Sequence, residues 1–254
     1  LPAVPRLRGL AGLIVCTPPP DRAKLSAMPY RDLQHFIEVL EQKGHLKRIK
    51  TEVSQDLEIA EITDRVTKQG GPALLFENVK GHSMPVAINL FGSKARMALA
   101  LEVDTLENLP DRLGSILALA MNPPTGGFLE KIKALPKLME MAGFMPKSVT
   151  GGMCKDVILK GDQVDLTKFP VLKCWPQDGG RFITSPLVFT YDPETGKRNV
   201  GTYRMQVYDR NTTGMHIHWH KDGARHLSKA KAPLQVAVAI GSAPAVCVAA
   251  PRPL

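Results

Sequence analysis

Near Pro146 the chain changes its period, and that change limits what it can fold into. Before it, apolar residues recur every third or fourth position in runs long enough for helices. After it, short alternating runs are broken every few residues by Gly, Pro, Asn and Asp. A segment with helical spacing does not settle as a strand, nor the reverse. The predicted class is therefore α+β: an N-terminal α/β unit over 28–146, then a β-rich, barrel-like unit over 147–254. Residues 1–27 stand apart. They hold five prolines, three of them in a row at Pro18-Pro19-Pro20, and no period. The expectation there is a disordered or non-native leader, with Met28 opening the domain-like sequence. The short apolar run Leu10–Cys16 lacks a cleavage-site pattern, so a secretory signal is disfavoured.

In the first unit, Leu33, Phe36, Ile37 and Leu40 lie on one helical face, with Asp32 at the start and Gly44 past the end. Asp56–Lys68 is a second amphipathic helix, closed by Gly70-Gly71-Pro72. Leu46–Val53, Ala73–Glu77 and Pro85–Asn89 read as strands. Ser93–Leu101, Leu109–Ala120 and Phe128–Met141 read as helices. In the second unit, strands are predicted at Val157–Lys160, Leu187–Tyr191, Val200–Val207, Met215–His220 and Leu234–Ile240. Asp192-Pro193-Glu194-Thr195-Gly196 is a hairpin turn, and Asp222 an N-cap for a helix through Lys229.

The 254 residues carry a net charge of +9, which raises the question of an anionic partner. The basic residues are dispersed and aromatics are only 6%, so no stacking platform for bases is present and nucleic acid is disfavoured. Four scattered cysteines without a CxxC pair point to a reducing, cytoplasmic setting.

The stretch Asn199–His220 holds the candidate chemistry. His216, His218 and His220 alternate along a predicted strand, which suggests a three-histidine zinc site and a metal hydrolase. Strand geometry argues against it. Residues i and i+4 stand about 13 Å apart at about 3.3 Å per residue. Zinc–nitrogen bonds of about 2 Å cannot span that distance. Asn199 suits a turn, Gly201 marks a close approach by a ligand or another backbone, and Arg204 offers a fork for a carboxylate or phosphate. Gly179-Gly180, in a turn before a strand, presents backbone N–H groups suited to phosphate.

The sequence resembles the UbiD family of prenylated-FMN-dependent decarboxylases. The resemblance is carried by Met28-Pro29-Tyr30-Arg31-Asp32-Leu33, Gly70-Gly71-Pro72-Ala73-Leu74-Leu75-Phe76-Glu77-Asn78, Trp175-Pro176, Asp178-Gly179-Gly180, Arg198-Asn199-Val200-Gly201-Thr202-Tyr203-Arg204 and Ala239-Ile240-Gly241. It implies that the second unit is an incomplete split β-barrel that binds prenylated FMN with Mn2+ and K+. By the same resemblance, Asn199 and His220 are metal ligands and Thr184, Gly201 and Arg204 contact the cofactor. Arg204 is the catalytic residue facing the substrate carboxylate. The implied reaction is non-oxidative decarboxylation of an aromatic or α,β-unsaturated acid, with 4-hydroxy-3-polyprenylbenzoate of quinone biosynthesis as the expected substrate. A lipophilic substrate implies peripheral membrane association, and the family is homo-oligomeric. The third metal ligand and the two catalytic glutamates of the family fall beyond residue 254, as does its oligomerisation domain. The expectation is therefore a truncated or frameshifted chain with little turnover. The alternative is an inactive fragment that binds flavin weakly or associates with a full-length homologue.

Overall fold

The computed structural model describes residues 6–7, 13–15, 30, 32–121 and 152–250. The predicted helix Phe128–Met141 lies outside them. The fold is α+β.

The first unit is built around one strand. β4 (Ala73–Phe76) is buried along its whole length because both of its faces are covered. It pairs in parallel with β3 (Leu46–Ile49) and antiparallel with β5 (Val86–Ile88). The parallel step needs a crossover, which α2 (Glu58–Lys68) supplies. Ala73 and Leu75 point to one side, where Phe36 and Leu40 of α1 (Leu33–Gln42), Leu90 and Ala100 of α3 (Lys94–Ala100) close a core. Leu74 and Phe76 point to the other, against Val53, Val79 and Ile59 of α2. Alternate side chains on one strand thus bind two helical layers. α4 (Leu109–Met121) follows.

The helix ends obey their residues. Asp32 caps α1 by accepting the His35 backbone N–H at 2.8 Å. α2 has no side-chain cap. It opens on Leu57 in the left-handed region (φ 68°), carries Glu58 and Glu61 in its first turn, and has the pairs Glu61–Arg65 and Asp64–Lys68 on its surface.

The second unit holds two open antiparallel sheets. One has the order β1–β11–β10–β7, from Arg6–Leu7, Thr213–Met215, Met205–Val207 and Arg181–Ile183. The other is β12–β8–β9, from Ala237–Ala239, Leu187–Tyr191 and Arg198–Thr202. A separate pair joins β2 (Leu13–Val15) to β6 (Val157–Leu159). Ile183, Val188, Tyr203, Met205 and Met215 form the core between these elements. α5 (Asp222–Lys229) packs on β8 and β9, and α6 (Pro244–Ala249) ends the described chain. Among the described residues no helix is long and apolar enough to cross a membrane.

Three findings depart from the sequence reading. Arg6–Leu7 and Leu13–Val15 are ladder-paired, where no regular structure is expected. The single strand predicted over Val200–Val207 is broken at Tyr203–Arg204, and its two pieces belong to different sheets. The strand predicted over Met215–His220 ends at Met215, and only Ala237–Ala239 of Leu234–Ile240 is strand.

The two units meet at a short backbone seam. The Leu57 N–H donates to the Lys173 carbonyl at 3.0 Å and the Lys173 N–H to the Gln55 carbonyl at 3.1 Å. Arg181 adds a bidentate pair to Asp56 at 3.1 and 3.0 Å. Leu172 packs beside the α2 core.

Candidate active site

The site forms where one two-stranded ribbon splits between two sheets. β7 leads into β8 through Thr184–Pro186, and β9 leads into β10 through Tyr203–Arg204. Ile183 faces Met205 in one sheet and Leu187 faces Thr202 in the other. The two crossovers therefore lie side by side. Both have left the ladder, so their backbone groups can turn toward a ligand. Ser185 sits in the left-handed region there (φ 61°). This register brings Thr184, Gly201 and Arg204 into one neighbourhood.

Tyr203 is the pivot. It is buried, and its ring lies between Gly201 and Gly223. A Cβ on Gly201 would stand 2.6 Å from the Tyr203 Cζ and Oη, and one on Gly223 would stand 2.8 Å from Oη. The Gly223 N–H donates to Tyr203 Oη at 3.2 Å. The close neighbour that demands glycine at 201 is thus this ring. The same contact ties the start of α5 to the crossover.

Arg204 follows. Its two terminal nitrogens donate to both oxygens of Asp178, at 2.8 and 2.6 Å, and its Cζ lies 3.9 Å from the Phe182 ring centroid. Asp178 is fixed by its own turn, accepting the Trp175 N–H at 3.2 Å. Hydrogen bonding to Arg204 holds the Asp178 carboxyl below its usual range and raises the guanidinium in turn. The family resemblance implies a substrate carboxylate against Arg204. The structure has the Asp178 carboxylate there, a residue that reasoning had read only as part of a glycine turn.

Asn199, on β9, is half-buried, and its Nδ2 donates to Thr190 Oγ1 across the hairpin at 3.4 Å. Among the described residues its Oδ1 accepts no side-chain or backbone hydrogen bond, which leaves an oxygen donor for a cation. His220 is exposed in the turn before α5, with its ring 4.0 Å from Trp219 and 5.0 Å from His218. Because the strand stops at Met215, the three histidines do not share a strand face. The His216 N–H donates to the Arg204 carbonyl at 2.9 Å, and the Lys221 N–H to the His218 carbonyl at 2.9 Å. Among the described residues no three His, Cys, Asp or Glu side chains gather closely enough to hold a metal ion. Asn199 and His220 offer one oxygen and one nitrogen, a pair that suits a divalent cation beside a phosphate. α5, which follows the His220 turn, packs on β8 and on β9, the strand that carries Asn199. Thr184, exposed, donates to the Phe182 carbonyl at 3.3 Å.

Sequence models of two domains match this chain. The 3-octaprenyl-4-hydroxybenzoate carboxy-lyase N-terminal domain matches residues 37–115, and the Rift-related domain of the same carboxy-lyase matches residues 147–254. The chain belongs to the UbiD family. Solved UbiD-family structures share its fold. HmfF of Pelotomaculum thermopropionicum, a UbiD-class enzyme in complex with FMN, is 29% identical with a TM-score of 0.69, over 87% of this chain and 44% of that one. The closed form of the vanillic acid decarboxylase of Sedimentibacter hydroxybenzoicus is 31% identical with a TM-score of 0.71, over 90% and 46%. An uncharacterised protein of Archaeoglobus fulgidus is 49% identical over 231 residues, 89% of this chain and 46% of that one. The chain spans just under half the length of the curated relatives it matches.

Proposed function

We propose that this chain carries the metal- and flavin-binding face of a UbiD-type carboxy-lyase that removes carbon dioxide from an aromatic or α,β-unsaturated carboxylic acid. The observation that carries this reading is Asn199, whose amide nitrogen is bonded to Thr190 while its oxygen has no partner among the described residues, beside the ribbon split with Thr184, Gly201 and Arg204. In this reading Asn199 Oδ1 and the His220 imidazole would hold a divalent cation, Mn2+, with prenylated FMN and K+ as the other groups of the site. Prenylated FMN, when bound, supplies the electron sink for the departing carboxyl group. The protein's part is to bind and orient. Thr184 and the Gly201 backbone line the split where the flavin would lie. Arg204 carries the charge that draws in a carboxylate, and Asp178 holds its fork in one plane until the substrate competes for it. The finer reading is 4-hydroxy-3-polyprenylbenzoate as substrate, in the quinone pathway of the cytoplasm, with a homo-oligomeric enzyme touching the membrane through that lipid-tailed acid.

The test is titration of FMN fluorescence with and without Mn2+, followed by carbon dioxide release from a panel of aromatic acids by protein loaded with prenylated FMN. Mn2+-dependent FMN binding, lost in Asn199→Ala and His220→Ala, is expected, and Arg204→Ala is expected to remove turnover. FMN binding that ignores both Mn2+ and the two substitutions would overturn the reading.

A further inference from the structure

Behind Asn199 runs a chain of polar side chains that nothing in the decarboxylase reading uses. Thr190, Asp192 and His226 are all nine-tenths or more buried, at 1%, 5% and 3% exposed. Thr190 is the cross-strand partner of Asn199 in the β8–β9 ladder. Its Oγ1 receives Asn199 Nδ2 at 3.4 Å and lies 2.9 Å from His226 Nδ1. His226 projects from the inward face of α5, and its Nε2 lies 3.9 Å from Asp192 Oδ2. Asp192 is itself held by the backbone N–H groups of Glu194 and Thr195 and by Lys229 Nζ at 3.1 Å. Apolar residues would pack these positions without the cost of burying polar groups.

The protons in this chain run in one direction. The orientation in which Asn199 Nδ2 donates to Thr190 Oγ1 fits the His226 tautomer with its hydrogen on Nε2, the nitrogen that stands 3.9 Å from the Asp192 carboxylate. Nδ1 then presents its lone pair, and the Thr190 hydroxyl donates to it. With its proton committed, Thr190 Oγ1 has only lone pairs for Asn199, and so takes the amide N–H. A flipped amide would set oxygen against oxygen with no proton between them. The network with this tautomer matches the orientation of Asn199 seen here, with Nδ2 turned to Thr190 and Oδ1 away from it.

We propose that Thr190 and His226 are positioning residues that hold the Asn199 amide with its carbonyl oxygen toward a divalent cation. This rests on the reading of Asn199 as a metal ligand. Partners behind a ligand set both its direction and its basicity, and their loss weakens metal binding even where the ligand is untouched. Asn is a weak ligand for a cation and has two ends of similar shape, an oxygen that can ligate and an NH2 that cannot, so its orientation matters more than that of a carboxylate.

The experiment measures Mn2+ affinity in the presence of FMN by electron paramagnetic resonance, with thermal unfolding of the metal-free protein alongside. The variants are Thr190→Val, which keeps the shape and removes the hydroxyl, Thr190→Ser, which restores it, His226→Asn, which keeps an acceptor near Nδ1, and Asn199→Ala. Thr190→Val is expected to weaken Mn2+ binding about ten- to a hundredfold, with Thr190→Ser and His226→Asn within about threefold of the parent. Unchanged Mn2+ affinity in Thr190→Val, with affinity lost in Asn199→Ala, overturns the positioning role and leaves the site reading standing. Equal losses in Thr190→Val and Thr190→Ser that follow a fall in melting temperature also overturn it, in favour of a structural role. Unchanged affinity in Asn199→Ala overturns the site reading itself.

Discussion

Replacing Gly201 by alanine tests the pivot of the site. The added Cβ would lie 2.6 Å from the Tyr203 ring, inside any contact that carbon tolerates. The ring cannot retreat, because its other side meets Gly223 and its hydroxyl accepts the Gly223 N–H at 3.2 Å. Overpacking of this kind costs about 1–3 kcal/mol. Against it, alanine is favoured over glycine in a strand by about 0.5–1 kcal/mol. Tyr203 is 5% exposed and fixed on both faces, which places the packing cost toward its upper end. The expected net loss is about 2 kcal/mol, or about 4–8 °C in melting temperature for a protein of this size. Urea unfolding followed by circular dichroism reads it. The control is the cycle with Tyr203→Ala, in which the double variant should be more stable than the sum of the single losses by about 1–2 kcal/mol. A Gly201→Ala protein as stable as the parent, or strictly additive losses, would refute the steric argument.

Two further outcomes follow from the charges. Asp178→Asn removes a carboxylate that meets both ends of the half-buried Arg204 guanidinium, and a loss of about 1–3 kcal/mol in urea unfolding is expected; no loss would mean that solvent replaces the pair. The Asp192 carboxyl is lowered to about 2, first by the Glu194 N–H and then by Lys229. Its folded value lies below the unfolded one of about 3.9. Its contribution is therefore complete above about pH 4 and lost as the pH falls toward 2. Urea midpoints taken from pH 5 to pH 2 should fall more steeply for the parent than for Asp192→Asn, and parallel curves would contradict the assignment.

Sequence reasoning went furthest where a residue's local chemistry decided the outcome. Asp32 and Gly44 bracket α1 as their types require. Ala73–Glu77 reads as a strand, and β4 holds Ala73–Phe76 of it. Failures came where distant packing overrode local pattern. Val200–Val207 has the composition of one strand, but Tyr203 wedges between Gly201 and Gly223, and Gly223 is a neighbour that no local pattern reveals. His216–His220 alternates in type without being a strand, because the chain turns at His218 to enter α5. Asp222 was placed as the cap of α5 and is its first helical residue, with Lys221 before it. In the site, Asn199 and Arg204 stood out by type, whereas Thr190, Asp192 and His226 did not. Each is unremarkable alone, and their connection exists only once α5 lies on β8 and β9.

The seam at Leu57 has a consequence for how the chain is made. A leucine in the left-handed region costs about 1–3 kcal/mol unless its surroundings hold it there. Here the hold comes from the Lys173 carbonyl, which accepts the Leu57 N–H at the first residue before α2. More than a hundred residues separate the two. At about 5–20 residues per second, the ribosome delivers Lys173 roughly 6–23 s after Leu57. In that interval β3, β4 and β5 can already pair and Ser54 can bond locally to Glu58, but the Leu57 N–H still lacks the Lys173 carbonyl. Nascent chains arrested before residue 173 should therefore show α2 fraying from its first turn, with protease cutting near Ser54–Leu57, and chains arrested beyond the seam should resist.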